Sequence, residues 1–159
     1  ARLSSARVGP VSAWFAGALL LSRVRSGVFD RVRQAQRRPF TLAIDEFHTV
    51  LQGFSLNDEE RSLGPMLSEA RKFGLRLLLA NQHVAQLGRG TREAVLGNVG
   101  NLLMFRVAHR DARVLTEEMG MDLAPEQLSS LPNFRAFVRL LHKGRSLAPF
   151  HIDTVAPEP

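Results

Sequence analysis

Three short apolar runs set between helical stretches constrain this chain more than any other feature of it. They are Phe40-Thr41-Leu42-Ala43-Ile44, Leu75-Arg76-Leu77-Leu78-Leu79-Ala80 and Asn101-Leu102-Leu103-Met104-Phe105-Arg106-Val107. Each is too short to be a core helix and almost unbroken in hydrophobicity, the pattern of a strand buried on both faces of a parallel sheet. The intervening segments carry the helical period. Trp14, Ala18, Leu21 and Val24 share one face of a helix from Val11 to about Gln36, which Val28 and Val32 extend. Ser12 is the candidate cap of that helix, and Pro39 stops the chain before the first strand.

The remaining segments fill the same scheme. Residues 49–57 read as a loop broken by Gly53 and Asn57. Asn57-Asp58-Glu59-Glu60 opens a helix to about Phe73, with Pro65 as a kink and Gly74 as the residue that closes it. Short helices are expected over residues 91–97, 111–119 and 125–131, the second closing at Gly120. Residues 134–141 alternate like a strand, placed at a sheet edge because their polar positions are basic. Residues 154–159 are rich in proline and read as a loose tail. Strand and helix therefore alternate, which predicts an α/β fold: an open, mostly parallel sheet flanked by helices, spanning residues 1–153 as one piece.

Composition narrows the chemistry. There is no cysteine, which removes a disulfide framework, a thiolate zinc site and a cysteine nucleophile, and suits a reducing compartment. The net charge of +6 comes mostly from arginine, whose planar fork suits phosphate and carboxylate, so nucleic acid and anionic lipid are candidate partners. The most apolar stretch, residues 11–21, is far short of the roughly 20 residues that a bilayer needs. It runs into Ser22-Arg23-Val24-Arg25 rather than a small-residue cleavage site, so a buried helix is the better reading. The first residue is Ala, which suggests a chain cut from something longer. A sheet divided in that way would expose apolar helix faces and favour self-association.

In an open parallel sheet, ligands gather at the carboxyl ends of the strands. Asp45 and Glu46 stand after the first run, Gln82 after the second, and Arg106 or the His109-Arg110-Asp111 group after the third. An apolar strand ending in Asp-Glu is the Walker B arrangement. Its first carboxylate holds Mg²⁺ through water, because Mg²⁺ keeps most of its hydration shell. Its second orients or deprotonates the attacking water. A glutamine at the neighbouring strand tip can sense the γ-phosphate. The plainer reading is that Asp-Glu caps a turn, and Gln82 at the next tip is what shifts the balance toward nucleotide chemistry. Arg71 and Lys72 precede the second run; they suit either a basic helix end favoured by the dipole or an arginine finger for a neighbouring subunit.

No G-x-x-x-x-G-K-[ST] loop is present, and Gly-Lys does not occur. The sequence as it stands has no usual cradle for a triphosphate. The five histidines lack metal-ligand spacing, and there is no G-x-S-x-G elbow.

Three elements taken together carry a resemblance. Thr41-Leu42-Ala43-Ile44-Asp45-Glu46-Phe47, Leu67-Ser68-Glu69-Ala70-Arg71-Lys72-Phe73-Gly74-Leu75 and Leu79-Ala80-Asn81-Gln82 through Gln86-Leu87 resemble the coupling-protein ATPases of bacterial conjugation and type IV secretion (TraG/TraD-like) and their relatives of the HerA/FtsK group. Residues 98–115 and 128–141 continue the likeness, which runs from about Phe40 to the end.

The resemblance implies a partial RecA-like P-loop NTPase fold, the Walker B half without Walker A. Family members are hexameric rings that use ATP and Mg²⁺ to move DNA, alone or with protein, through a central channel. Asp45 and Glu46 match the Walker B pair, Gln82 the nucleotide-sensing glutamine, and Arg71, in Arg-Lys-x-Gly-Leu, the arginine finger that acts in trans. Arg106, Arg110 and Arg113 are further arginines that could face a neighbouring nucleotide. The same region of the family overlaps a recognition site for relaxosome partners, and secretion-channel proteins are further candidates. The location implied is cytoplasmic, with the parent anchored at the inner membrane. The chain departs from the pattern in lacking Walker A and the membrane anchor and in a longer segment over residues 49–58, so it is not expected to bind ATP tightly by itself.

Two alternatives remain open. One is a non-catalytic module that docks DNA or a relaxosome partner. The other is a superfamily 2 helicase lobe, since Asp45-Glu46-Phe47-His48 fits the D-E-x-H box; the absence of a Ser-Ala-Thr element at the next strand disfavours it.

Overall fold

Proline has no amide hydrogen to offer, and the first turn of a helix has no intrahelical partner for one, so Pro10 starts the first helix at no cost. The computed structural model describes residues 9–30, 38–51, 67, 70–120 and 122–156. Helix α1 spans Pro10–Phe29 with Gly9 at its N-cap, and no side chain caps it; Ser12, expected as the cap, lies inside the helix. Leu21 and Val28 are buried and Ala18 and Val24 half-buried, as the spacing predicts. The side chain of Trp14, and Val32 altogether, lie outside the described residues. Val11, Phe15, Leu19 and Leu20 of the same helix are exposed, with Val11 at 74%.

The chain divides into two compact units. The first takes in residues 1–81 and 89–95. It holds strands β1 (Phe40–Ile44) and β2 (Leu75–Leu79), which pair in parallel from Phe40↔Leu75 to Ile44↔Leu79. Backbone bonds continue the pair beyond both ends: Phe40 N donates to Gly74 O at 2.9 Å, and Ala80 N to Ile44 O at 2.9 Å. Helix α2 (Phe47–Leu51) begins one residue after the Asp45-Glu46 turn. Thr49, expected in a loop, is therefore helical, while residues 52–57 lie outside the described residues. Most of the expected helix over residues 57–73 lies outside them too; its end is a 3₁₀ turn, Ala70–Phe73. Gly74 follows with φ 76, a left-handed conformation that lets the chain leave the turn and enter β2.

Helix α3 (Arg89–Asn98) contributes residues 89–95 to the first unit and 96–98 to the second. The second unit otherwise consists of residues 82–88 and 99–159. Its core is Met104, Ala112, Leu115, Leu128, Leu131 and Phe137, with Val84, Leu96, Leu102, Val107 and Leu123 packed against them. Helix α4 (His109–Glu118) presents Ala112 and Leu115, three apart, to that core, and helix α5 (Pro125–Ser129) presents Leu128. Gly120, at φ 56, stands just past α4 in the closing position expected for it.

The strands of the second unit depart in detail from the expectation. Strand β3 (Leu102–Met104) pairs antiparallel with β4 (Arg135–Arg139), and β4 antiparallel with β7 (Phe150–Asp153), in the order β3-β4-β7. The expected edge strand is thus central. The reason is that its three middle residues, Ala136, Phe137 and Val138, are all buried, and its arginines stand only at the ends. Arg135 meets Asp153 of β7 at 2.8 Å, and Arg139 donates from Nη2 to Val99 O at 3.3 Å. Burial lowers the pKa of the Arg139 guanidinium from its ordinary value. Thr154, placed in the loose tail, donates from N and from Oγ1 to Phe134 O at 2.6 and 2.9 Å and is tied down.

Strands β5 (Leu141–His142) and β6 (Arg145–Ser146) form a small hairpin that the sequence reading did not anticipate. Its two turn residues, Lys143 and Gly144, have φ 48 and 79, the pair of positive values that a two-residue hairpin turn requires. Its base is fixed where Leu141 N donates to Asn101 Oδ1 at 3.0 Å. Among the described residues no helix is long and apolar enough to cross a membrane.

Candidate active site

Parallel strands in one-to-one register release the chain at the same end, so whatever follows Ile44 and Leu79 meets there. Asp45 and Glu46 form the turn after β1. Glu46 has φ 46, a left-handed conformation that costs a residue with a Cβ about 1–2 kcal/mol. Four hydrogen bonds hold the turn. Asp45 Oδ1 accepts the Glu46 amide at 3.0 Å. Glu46 O accepts from Thr49 N and from Thr49 Oγ1, both at 2.9 Å. Phe47 N donates across to Ala80 O, past the end of β2, at 3.2 Å. Phe47 itself is buried and anchors the start of α2. A strained residue persists only where its surroundings over-determine it, and such places concentrate at functional sites.

The side chain that spans the two strand ends is His48. Its Nδ1 lies 2.6 Å from Asn81 Oδ1 and 3.3 Å from Glu46 Oε2. Both neighbours are acceptors, so Nδ1 carries the hydrogen and gives it chiefly to the nearer one. The imidazole is mostly buried, at 15% exposure, whereas the Glu46 side chain keeps 31%. The first unit thus gathers Asp45, Glu46, His48 and Asn81 at one end of the parallel pair. Asp45 and Glu46 are site residues expected from the sequence, and His48 and Asn81 are added by the structure. The D-E-x-H spacing is the signal of His48 in the sequence, whereas Asn81 is set opposite Glu46 only by the register of the two strands.

Gln82 follows Asn81 directly, is exposed, and is the first residue of the second unit. Its neighbours downstream are fixed by Asp111. That residue is 3% exposed in the first turn of α4; its Oδ1 accepts Ala85 N at 2.9 Å, and its Oδ2 lies 3.5 Å from His83 Nδ1. This ties the 3₁₀ turn Val84–Gln86, just after Gln82, to the helix.

Arg71 sits in the turn that enters β2 at its amino end, and its side chain lies outside the described residues. The structure does not bring it to Glu46, because a strand of five residues separates the two ends by about 16 Å. Arg106 donates to Asn133 Oδ1 at 3.1 Å, Arg113 pairs with Glu117 at 3.5 Å, and Arg110 is exposed; all three belong to the second unit. Among the described residues no group of three or more His, Asp or Glu side chains could hold a metal directly. A single carboxylate at a strand end suits a magnesium ion that keeps its water and takes its other ligands from phosphates.

No protein-family profile and no curated protein matches the sequence. Solved structures do match the fold. The plasmid coupling protein TrwB, in complex with the non-hydrolysable GTP analogue GDPNP, superposes with a TM-score of 0.66 at 18% identity over 93% of this chain and 37% of its own. VirB4 of Thermoanaerobacter pseudethanolicus gives 0.60 at 18% identity, covering 84% of this chain and 35% of its own. The genome packaging NTPase B204 from Sulfolobus turreted icosahedral virus 2, in complex with sulfate, gives 0.54 at 19% identity, covering 74% and 55%. The resemblance carried by the motifs is therefore matched in fold: the chain has the α/β architecture of these proteins. It spans between 35% and 55% of their lengths.

Proposed function

We propose that this chain is the Walker B portion of a motor ATPase that moves DNA, of the kind found in coupling proteins of conjugation and type IV secretion. The observation that carries this reading is the turn after β1, where Asp45 is followed by Glu46 in a strained, fully braced conformation at the carboxyl end of a parallel strand. The fold likeness to coupling and packaging NTPases supports it.

In this reading Asp45 holds Mg²⁺ through water, and the ion when bound neutralises charge on the transferred phosphoryl group. Glu46 accepts a proton from the attacking water or orients it. Gln82 senses the γ-phosphate. Arg71, at the far end of β2 from Glu46, is the finger offered to the nucleotide of a neighbouring subunit, which fits a ring, hexameric by the family resemblance. The phosphate cradle would come from a G-x-x-x-x-G-K-[ST] segment of the parent protein that this sequence does not contain. DNA is the substrate, favoured by the +6 charge, and relaxosome or secretion-channel proteins are the further partners. The site of action is the cytoplasm.

The test is ATP hydrolysis by the complete protein, with and without DNA, comparing the natural sequence with Glu46→Gln. Turnover that DNA stimulates and Glu46→Gln abolishes is the expected result. No turnover in the unmodified protein, with the phosphate loop confirmed present in it, would favour the second reading, a non-catalytic module that docks DNA or a relaxosome partner.

A further inference from the structure

The backbone alone already joins the two strand ends. Ala80 N–Ile44 O and Phe47 N–Ala80 O close the pair, and Thr49 closes the turn on Glu46 O. The His48 side chain is not needed for that closure. It reaches instead from α2 to two acceptors that lie beyond the ends of different strands, at 2.6 Å and 3.3 Å. One is the carboxylate with the proposed chemical role, and the other begins the segment that leads into Gln82. One N–H between two acceptors can favour either, so the position of Asn81 decides how firmly the Glu46 carboxylate is held.

We infer that His48 is a positioning residue which makes the orientation of the Glu46 carboxylate depend on the tip of β2. The inference rests on the reading of Glu46 as the residue that handles the attacking water. His48 touches no reacting atom in it. The left-handed backbone of Glu46 sets its side chain beside the imidazole, and His48 passes to it any displacement of Asn81, hence of the strand end where γ-phosphate sensing is proposed. Strand movement and hydrolysis are thereby coupled through one side chain.

The experiment is steady-state ATP hydrolysis by the complete protein carrying His48→Ala, His48→Asn, Asn81→Ala or the pair His48→Ala/Asn81→Ala. Misplacing a reacting group by about an ångström costs on the order of 100-fold, so His48→Ala is expected to lower kcat by roughly 10- to 100-fold. KM for ATP should stay within about twofold, because ground-state binding is untouched. His48→Asn, whose amide N–H can stand where Nδ1–H does, restores most of the turnover. Asn81→Ala resembles His48→Ala, and the double variant falls no further, the mark of one shared path. A kcat for His48→Ala within about twofold of the unmodified protein overturns the inference and leaves the motor reading standing. So does a parallel loss of turnover and nucleotide binding that His48→Asn does not rescue, since that marks a merely structural histidine. An unmodified protein without ATPase activity sinks the motor reading and the inference with it.

Discussion

His48 Nδ1 and Asn81 Oδ1 lie 2.6 Å apart although 33 positions separate them in the chain. Removing the acceptor leaves a mostly buried N–H with only the more distant Glu46 carboxylate. Asn81→Ala is therefore expected to cost about 1–2 kcal/mol of stability. Urea unfolding reads this as a lower midpoint at unchanged slope. An unchanged midpoint would mean that the bond is not made in solution.

Glu46 holds φ 46 with a full side chain. Asparagine tolerates that conformation better than glutamate does. Glu46→Asn is expected to stabilise the protein by about 0.5–1 kcal/mol, offset in part by whatever the His48 contact contributes. Differential scanning calorimetry on the two proteins decides the sign, and a clear fall in melting temperature would contradict the strain argument.

Asp111 is buried in the second unit and accepts the Ala85 amide at 2.9 Å. Asp111→Ala leaves that amide without its acceptor, at a cost of about 2–3 kcal/mol, while Asp111→Asn, which keeps an oxygen, costs less. Hydrogen exchange at Ala85 should accelerate in the alanine variant well before exchange at the α4 core does. Equal protection of Ala85 in both variants would show that the turn is held by something else.

Leu128 is fully buried in the second core, whereas the Arg135–Asp153 pair keeps 45% and 77% of its side-chain exposure. Leu128→Ala should cost about 2–5 kcal/mol by leaving a cavity. Arg135→Ala should cost under about 1 kcal/mol, because solvent screens the pair. Guanidinium unfolding of both variants checks the contrast, and similar costs would mean that the core described around Leu128 is not the one that holds the unit together.

Much of this was legible in the sequence. The apolar runs mark where β1, β2 and β3 lie, but the burial on both faces that they predict is not found in this chain, where Phe40, Leu78 and Leu103 are exposed at 43%, 63% and 52%. Gly74 and Gly120 were readable as closing residues, because only a residue without Cβ takes positive φ freely. The place of β4 was misread. Arginines at its ends looked like edge charges, and nothing local shows that Phe150–Asp153 returns to cover the other side. Pairing between distant segments leaves no mark in either segment alone. The same holds for Asn81, which only the one-to-one register of β1 and β2 sets opposite Glu46 and within reach of the His48 side chain. Arg71 was legible as a basic residue before β2, and its distance from Glu46 followed only when the direction of the strands was known.

The positive φ of Glu46 has a consequence for how this position would respond to selection. A library randomised at residue 46 and sorted for thermal resistance should drift toward glycine, asparagine and aspartate, the residues at ease in a left-handed turn. The same library sorted for turnover should keep glutamate under the proposed role. Stability and activity would then pull one codon in opposite directions, and the strain now stored in the turn is the measure of that conflict.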